Sequence, residues 1–267
     1  MLTGEVTAGV SLNRNRMDIY MATPRDLRNP PIVEALVDIR AAVSASPETF
    51  EAVARELHTA YPTHKVRRGV KAEFRVEEGK LIPPTAEDLG FQGVMLHSES
   101  GQTLVQFRPD GFTFNNLNSY LGGDTLLVEA LRLWSVFSDR LHPTAVTRVA
   151  LRYINQLKLP YRQGDDFAKY LTAAPSTPEG APQSVNEFLS RVVAYDSEAS
   201  ATIVTTQRVT TPDPSGFPLV VIDVDAFCVG EFPTDAQALR TTLDGLRTLK
   251  NRTFFSLLTD AAVELFV

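Results

Sequence analysis

From Pro30 onward, the hydrophobic positions switch between β-rich stretches and stripes at helical spacing. Residues 33–43 are β-rich and follow the stiff pair Pro30 and Pro31, which predicts a strand entered by an extended lead-in. Ser46, Pro47 and Glu48 supply a hydroxyl cap, a proline for the first helical position and an acid for the first turn. Phe50, Val53, Ala54, Leu57 and Tyr61 recur at helical spacing until Pro62 stops the run. Stretches 70–76, 91–98 and 103–115 predict three strands of a meander, with Ser100 and Gly101 in the second turn. Gly122, Gly123 and Asp124 then introduce a long helix with Leu127, Leu131, Trp134, Phe137 and Leu141 on one side, ended by His142 and Pro143.

The second half begins with a strand over 147–159. Helical stretches at 167–171 and 185–191 are separated by Pro175, Pro178, Gly180 and Pro182. Strands over 191–196, 201–209 and 219–229 rebuild a meander, with a turn at 212–216 before the last. Thr234 and Gln237 have capping-box spacing, and Leu239, Leu243, Leu246 and Leu249 make the stripe of a final long helix, followed by an apolar segment over 254–266.

The two halves share residues at one offset. Ala35, Leu36 and Ile39 return as Ala150, Leu151 and Ile154, 115 residues on (151 − 36). Ser100, Gly101, Leu104, Val105, Asp110 and Phe112 return as Ser215, Gly216, Leu219, Val220, Asp225 and Phe227; Leu131 and Arg132 return as Leu246 and Arg247. The period is too long for a solenoid and predicts a duplicated half-domain. The expected architecture is therefore α+β: a strand-helix-three strands-helix unit, present twice, with mainly antiparallel sheet, long helices and a pseudo-twofold axis. Residues 1–28 form an N-terminal extension, 29–143 the first unit and 144–267 the second, packed as one pseudo-symmetric domain. Met21 is an alternative start to Met1.

At 267 residues, 43% hydrophobic and 22% charged, the composition suits a globular chain with a substantial core. A net charge of −6 argues against a surface built for a nucleic-acid backbone. No apolar run is long enough for a membrane span, and Asn13, Arg14, Asn15 and Arg16 interrupt any signal-peptide core. One cysteine, Cys228, permits neither an intrachain disulfide nor a cysteine metal cage and fits a reducing, cytoplasmic setting.

Three sets of residues carry a further signal as an ordered series. They are Asn29 to Glu34 (Asn-Pro-Pro-Ile-Val-Glu), Leu151 to Asn155 (Leu-Arg-Tyr-Ile-Asn), and Leu246, Arg247, Leu249, Lys250, Asn251 and Phe254. Over 29–266 the chain resembles a sporadically distributed prokaryotic family of uncharacterised proteins. The resemblance implies a cytosolic protein of patchy occurrence, as for genes that travel with mobile elements or defence loci, and implies no reaction. The segment before Met21 departs from that family's short lead-in.

Asp223 and Asp225 lie two apart on a predicted strand, so both carboxylates share a face, as a divalent-metal site needs; the competing reading is a solvated, charged strand face. Arg108 stands 115 residues before Asp223 (223 − 108), where a structural ion pair between the two is an alternative. Arg148 and Arg152 share a strand face opposite Tyr153 and Asn155, and with Arg108 they form a candidate fork for a carboxylate or phosphate, unless Asp223, Asp225 or Glu34 neutralises them. His58, His64, His97 and His142 lack metal-ligand spacing, and no serine elbow is present. Gly122 and Gly123 before a helix form a weak anion-loop signal. Lys250, Asn251 and Arg252 beside Phe254 and Phe255 form a candidate partner-binding knob, or else basic residues answering a helix dipole.

These features predict a non-catalytic binding or interaction protein with a protein partner, belonging to a defence or toxin–antitoxin-like locus. The first alternative is a sensor or carrier of a small anionic ligand, with Arg108, Arg152 and Asn155 facing a groove between the units. The second is a metal-dependent enzyme using Asp223 and Asp225. No cofactor is implied.

Overall fold

A computed structural model describes residues 21–77, 80–118, 120, 122–160, 166–183, 185–210 and 219–267. The expected extension before Met21 and the turn at 212–216 lie outside the described residues. The strands are β1 (Ile32–Ala41), β2 (Thr63–Glu77), β3 (Lys80–His97), β4 (Thr103–Arg108), β5 (Gly111–Leu117), β6 (Val146–Lys158), β7 (Leu189–Asp196), β8 (Ala201–Thr210) and β9 (Leu219–Phe232). The helices among the described residues are α1 (Pro47–Glu56), α2 (Gly123–Leu141), α3 (Ala236–Ser256) and α4 (Asp260–Val263). All nine strands join one sheet in the order β2-β3-β4-β5-β1-β6-β9-β8-β7, with every pairing antiparallel.

This corrects the expected α+β architecture with long helices. Among the described residues strand makes up 44% and helix 27%, and a single antiparallel sheet organises them. Helix caps and stripes are legible in the sequence, whereas much of the β2–β3 hairpin has no buried face to create alternation. Lys65, Arg67, Arg68, Lys71 and Glu73 on β2 are all exposed. Only Val94–His97 of β3 reaches β4, so the rest of that hairpin projects as a two-stranded arm.

The 115-residue register also fails. Alternation sends successive strand residues to opposite faces, and the odd-numbered residues face the core in both β1 (Ala35, Val37, Ile39) and β6 (Val149, Leu151, Tyr153), so an offset of 115 exchanges core for surface. Leu151 is fully buried in the core, while Leu36 lines a groove on the opposite face with Asp38 and Arg40. Phe112 is likewise in the core, whereas Phe227 lies on the outer face beneath Arg148. The first half carries a four-strand meander instead of three, because the expected strand 103–115 breaks at Pro109 and Asp110 into β4 and β5. Gly111 (φ +145°) is required at that break: a Cβ there would lie 2.3 Å from the Ile39 carbonyl oxygen.

Two helices expected in the second half are also absent. Residues 167–171 contain only the 3-10 turn Phe167–Lys169, and 185–191 is irregular until β7 begins. Asp235, not Thr234, caps α3, accepting the Ala238 amide at 2.9 Å. The Thr234 carbonyl instead accepts Trp134 Nε1–H at 2.8 Å.

One sheet face is dry. Ala35, Val37, Ile39 and Ala41 of β1 pack with Val149, Leu151 and Tyr153 of β6 and Val220, Ile222 and Val224 of β9 against the helices. Phe107, Phe112, Trp134 and Phe137 form an aromatic cluster there, with ring centroids 5.3–6.1 Å apart. The lead-in runs along the C-terminal segment: Ala22 N–H donates to Leu258, Asn29 N–H donates to Phe266, and Arg25 pairs with Asp260 and Glu264. Residues 21–28 thus pack along the C-terminal segment. Among the described residues no helix is long and apolar enough to cross a membrane.

Candidate functional site

The outer sheet face gathers the arginines singled out from the sequence. Asp38, only 7% exposed at the centre of β1, accepts from Arg40 Nε (3.0 Å), Arg108 Nη2 (3.0 Å), Arg148 Nη1 (3.0 Å) and the Thr113 hydroxyl (2.8 Å). Arg108 also donates to Asp110 (2.9 Å) and Thr113 Oγ1 (2.6 Å). Arg148 reaches Asp225 at 3.2 Å and stacks over Phe227 at 4.3 Å. Arg152 grips Asp223 through two bonds of 2.8 and 2.5 Å. Burial pushes the Asp225 carboxyl above its ordinary range, against the lowering pull of Arg148 and Arg152.

Two shallow grooves of about 410 and 340 Å³ lie on this face and share Arg152 and Asp225. Arg40, Arg148 and Arg152 in these grooves are neutralised within the chain and form a lattice, not an open fork for an anion, while Arg191 at the edge of the smaller groove is solvent-exposed. Arg108 does not pair with Asp223, as the offset had suggested; each has its own partner. Asp223 and Asp225 are both held by arginine, and no cluster of three acidic, histidine or cysteine ligands occurs among the described residues. Asp38 was missed because a lone acid in a β-rich stretch reads as solvent-facing until its neighbours are known.

Tyr153 and Asn155 face the other way, as alternation requires, and this separates Asn155 from the arginines with which it had been grouped. Asn155 is 3% exposed and donates to the Ile222 carbonyl at 3.0 Å. The Tyr153 hydroxyl lies 3.0 Å from that of Tyr120. Above the Tyr153 ring, 3.5 Å from its centroid, sits Lys250 Nζ.

Lys250 is the departure from expectation that matters most. It is 6% exposed and faces inward, so it forms no surface knob. Arg252 does lie at the surface, paired with Asp196 and Glu198. Lys250 continues the buried stripe of α3 one helical step after Leu239, Leu243 and Leu246, a position normally kept for an apolar side chain. Among the described residues no hydrogen bond or ion pair reaches its ammonium. Burial, reinforced by the charge of Arg247, lowers its pKa to about 7.

Lys250 lines a half-open pocket of about 330 Å³ bordered by the lead-in at 25–32, the start of α2 and the second half of α3. Arg247, Asn251, Tyr120 and Asn155 share its wall. Gly122 caps α2 with no side-chain hydrogen bond, leaving the positive end of the helix facing this region. Gly123 lets Arg247 pack onto that end, since a Cβ would lie 2.6 Å from Arg247 Nε. Asp124 holds Arg247 through a 2.7 Å bond, and that bond keeps the Asp124 carboxyl below its usual range. The structure thus brings Gly122, Gly123, Tyr153, Asn155, Lys250 and Asn251 together in one place, apart from the outer-face arginines.

No family model matches this sequence, and no curated protein shows significant similarity to it.

Proposed function

We propose that this protein is a non-catalytic binding protein for a small anionic molecule, held in the cavity lined by Lys250. The observation that carries this reading is a nearly buried lysine that forms no ion pair among the described residues and lines an open volume. An ammonium removed from water costs several kcal/mol unless it is paired, and cores ordinarily exclude one. An anion in the cavity supplies the missing pair, with Arg247 and the start of α2 adding positive potential. About 330 Å³ is within the range of small-ligand pockets. On the outer face Asp38, Asp223 and Asp225 hold Arg108, Arg148 and Arg152, and Arg191 there is exposed to solvent, so none of them is a buried cation like Lys250.

Thermal unfolding at neutral pH with added phosphate, lactate, pyruvate or 2-oxoglutarate tests this reading. At least one anion is expected to raise the Tm of the wild type. The rise should vanish in Lys250→Met and persist in Arg152→Gln. A panel without effect, or an equal rise in Lys250→Met, would overturn it.

A further inference from the structure

We propose that Lys250 captures the carbonyl carbon of a small oxo acid as a reversible Schiff base, while Arg247 and the start of α2 hold the ligand's carboxylate. This rests on the anion-binding reading and names the ligand class for the same cavity.

The cavity contains two kinds of positive group with different surroundings. Arg247 is anchored by Asp124, which fixes its guanidinium beside Gly123. Lys250 has no such anchor: its Nζ rests on the Tyr153 ring, and among the described residues no hydrogen bond or ion pair reaches it, Asp26 at the pocket's edge being exposed and unpaired with it. A receptor needing only charge would hold that ammonium with an acid, as the outer face does with every arginine of its lattice. Instead, burial and a neighbouring cation favour the uncharged amine, the same two conditions that turn lysine into a nucleophile. Arg247 and Lys250 stand three residues apart on α3, so they share a helix face and can meet the two ends of one short molecule.

In the step itself, the neutral amine adds to the ligand's carbonyl carbon, forming the C–N bond of a carbinolamine. The nitrogen's protons are transferred to the former carbonyl oxygen, which departs as one molecule of water and leaves a C=N bond. Hydrolysis reverses each event, so no oxidant, reductant or other reactant is required. Tyr120, on the same wall and hydrogen-bonded to Tyr153, is placed to donate to the departing oxygen.

Reductive trapping with cyanoborohydride tests the proposal, using pyruvate and 2-oxoglutarate as carbonyl probes and lactate as the control without a carbonyl. The expected product is one reduced adduct per chain, mapped to Lys250 by peptide mass spectrometry. It should form with at least one oxo acid, be suppressed by excess lactate, and be absent from Lys250→Arg, which keeps the charge but cannot form the imine. If anions raise the Tm in a Lys250-dependent way but no adduct forms at Lys250, the Schiff-base proposal fails and the anion reading stands. If no anion binds and labelling is confined to surface lysines, both fail. Should Lys250→Arg not fold, lactate protection of Lys250 in the wild type decides the question: labelling unaffected by lactate overturns the proposal.

Discussion

Lys250 places a recognition group where stability would favour a hydrocarbon. Its pKa falls from 10.5 to about 7 on folding, so between those values the unfolded chain binds more protons at this position than the folded one. The resulting penalty is fully present below about pH 7 and is relieved as pH rises toward 10.5. Lys250→Met is therefore expected to stabilise the ligand-free protein near and below neutral pH, by roughly 1–3 kcal/mol given about 1.4 kcal/mol per pKa unit and partial relaxation of the site. It should also remove this contribution to the rise in stability with pH. Urea denaturation on either side of that window checks both; an unchanged pH profile would mean that Lys250 is not held uncharged. The residue was legible as a member of a cationic cluster, but its direction was not. One further helical step separates Leu246 from Lys250, and whether that step meets solvent depends on what covers it.

Single elements show why some signals read cleanly and others misled. Ser46 takes the N-cap position of α1, although its hydroxyl makes none of the expected cap bonds, Pro47 opens the helix, and His142, left-handed at φ 49°, closes α2 just before Pro143; these positions follow from local backbone preference and need no partner. The capping box at Thr234 misled because Asp235, one residue later, is an equally able cap, and the Thr234 carbonyl is taken by Trp134 across the core. At the start of α2 the sequence shows two glycines, and the structure shows why the second matters. Gly123→Ala should change overall stability by no more than about 1 kcal/mol, since alanine suits a helix and the group displaced is a flexible side chain. It should nevertheless weaken the anion-induced rise in Tm, because Arg247 is pushed off the helix end. A thermal-shift titration with pyruvate measures this; an unaltered response would remove Arg247 from the site.

Across the whole molecule, the two sheet faces do different work. One holds the core, and the other ties the chain's halves together through Asp38, whose partners Arg108 and Arg148 lie 70 and 110 residues away. Asp38→Ala leaves Arg108 with Asp110 and Arg148 with Asp225 as their remaining carboxylates, breaks the tie between the halves and is expected to cost about 2–3 kcal/mol. Arg152→Gln should cost less, as Arg152 is 41% exposed and serves one carboxylate. Equilibrium denaturation ranks the two, and equal losses would contradict the central role of Asp38.

Alternation, capping and turn residues act over a few positions, so they set most of the elements and the faces of β1, β6 and β9 without reference to the rest of the chain. Strand order, the fourth strand of the first meander and the failure of the 115-residue register belong to long-range pairing, which composition and spacing do not encode. The same holds for the cavity. Lys250, Tyr153, Gly123 and the 25–32 lead-in come from four distant stretches, and only their packing turns a surface-looking cation into a buried, reactive one, because charge acquires its chemical character from the solvent it has lost.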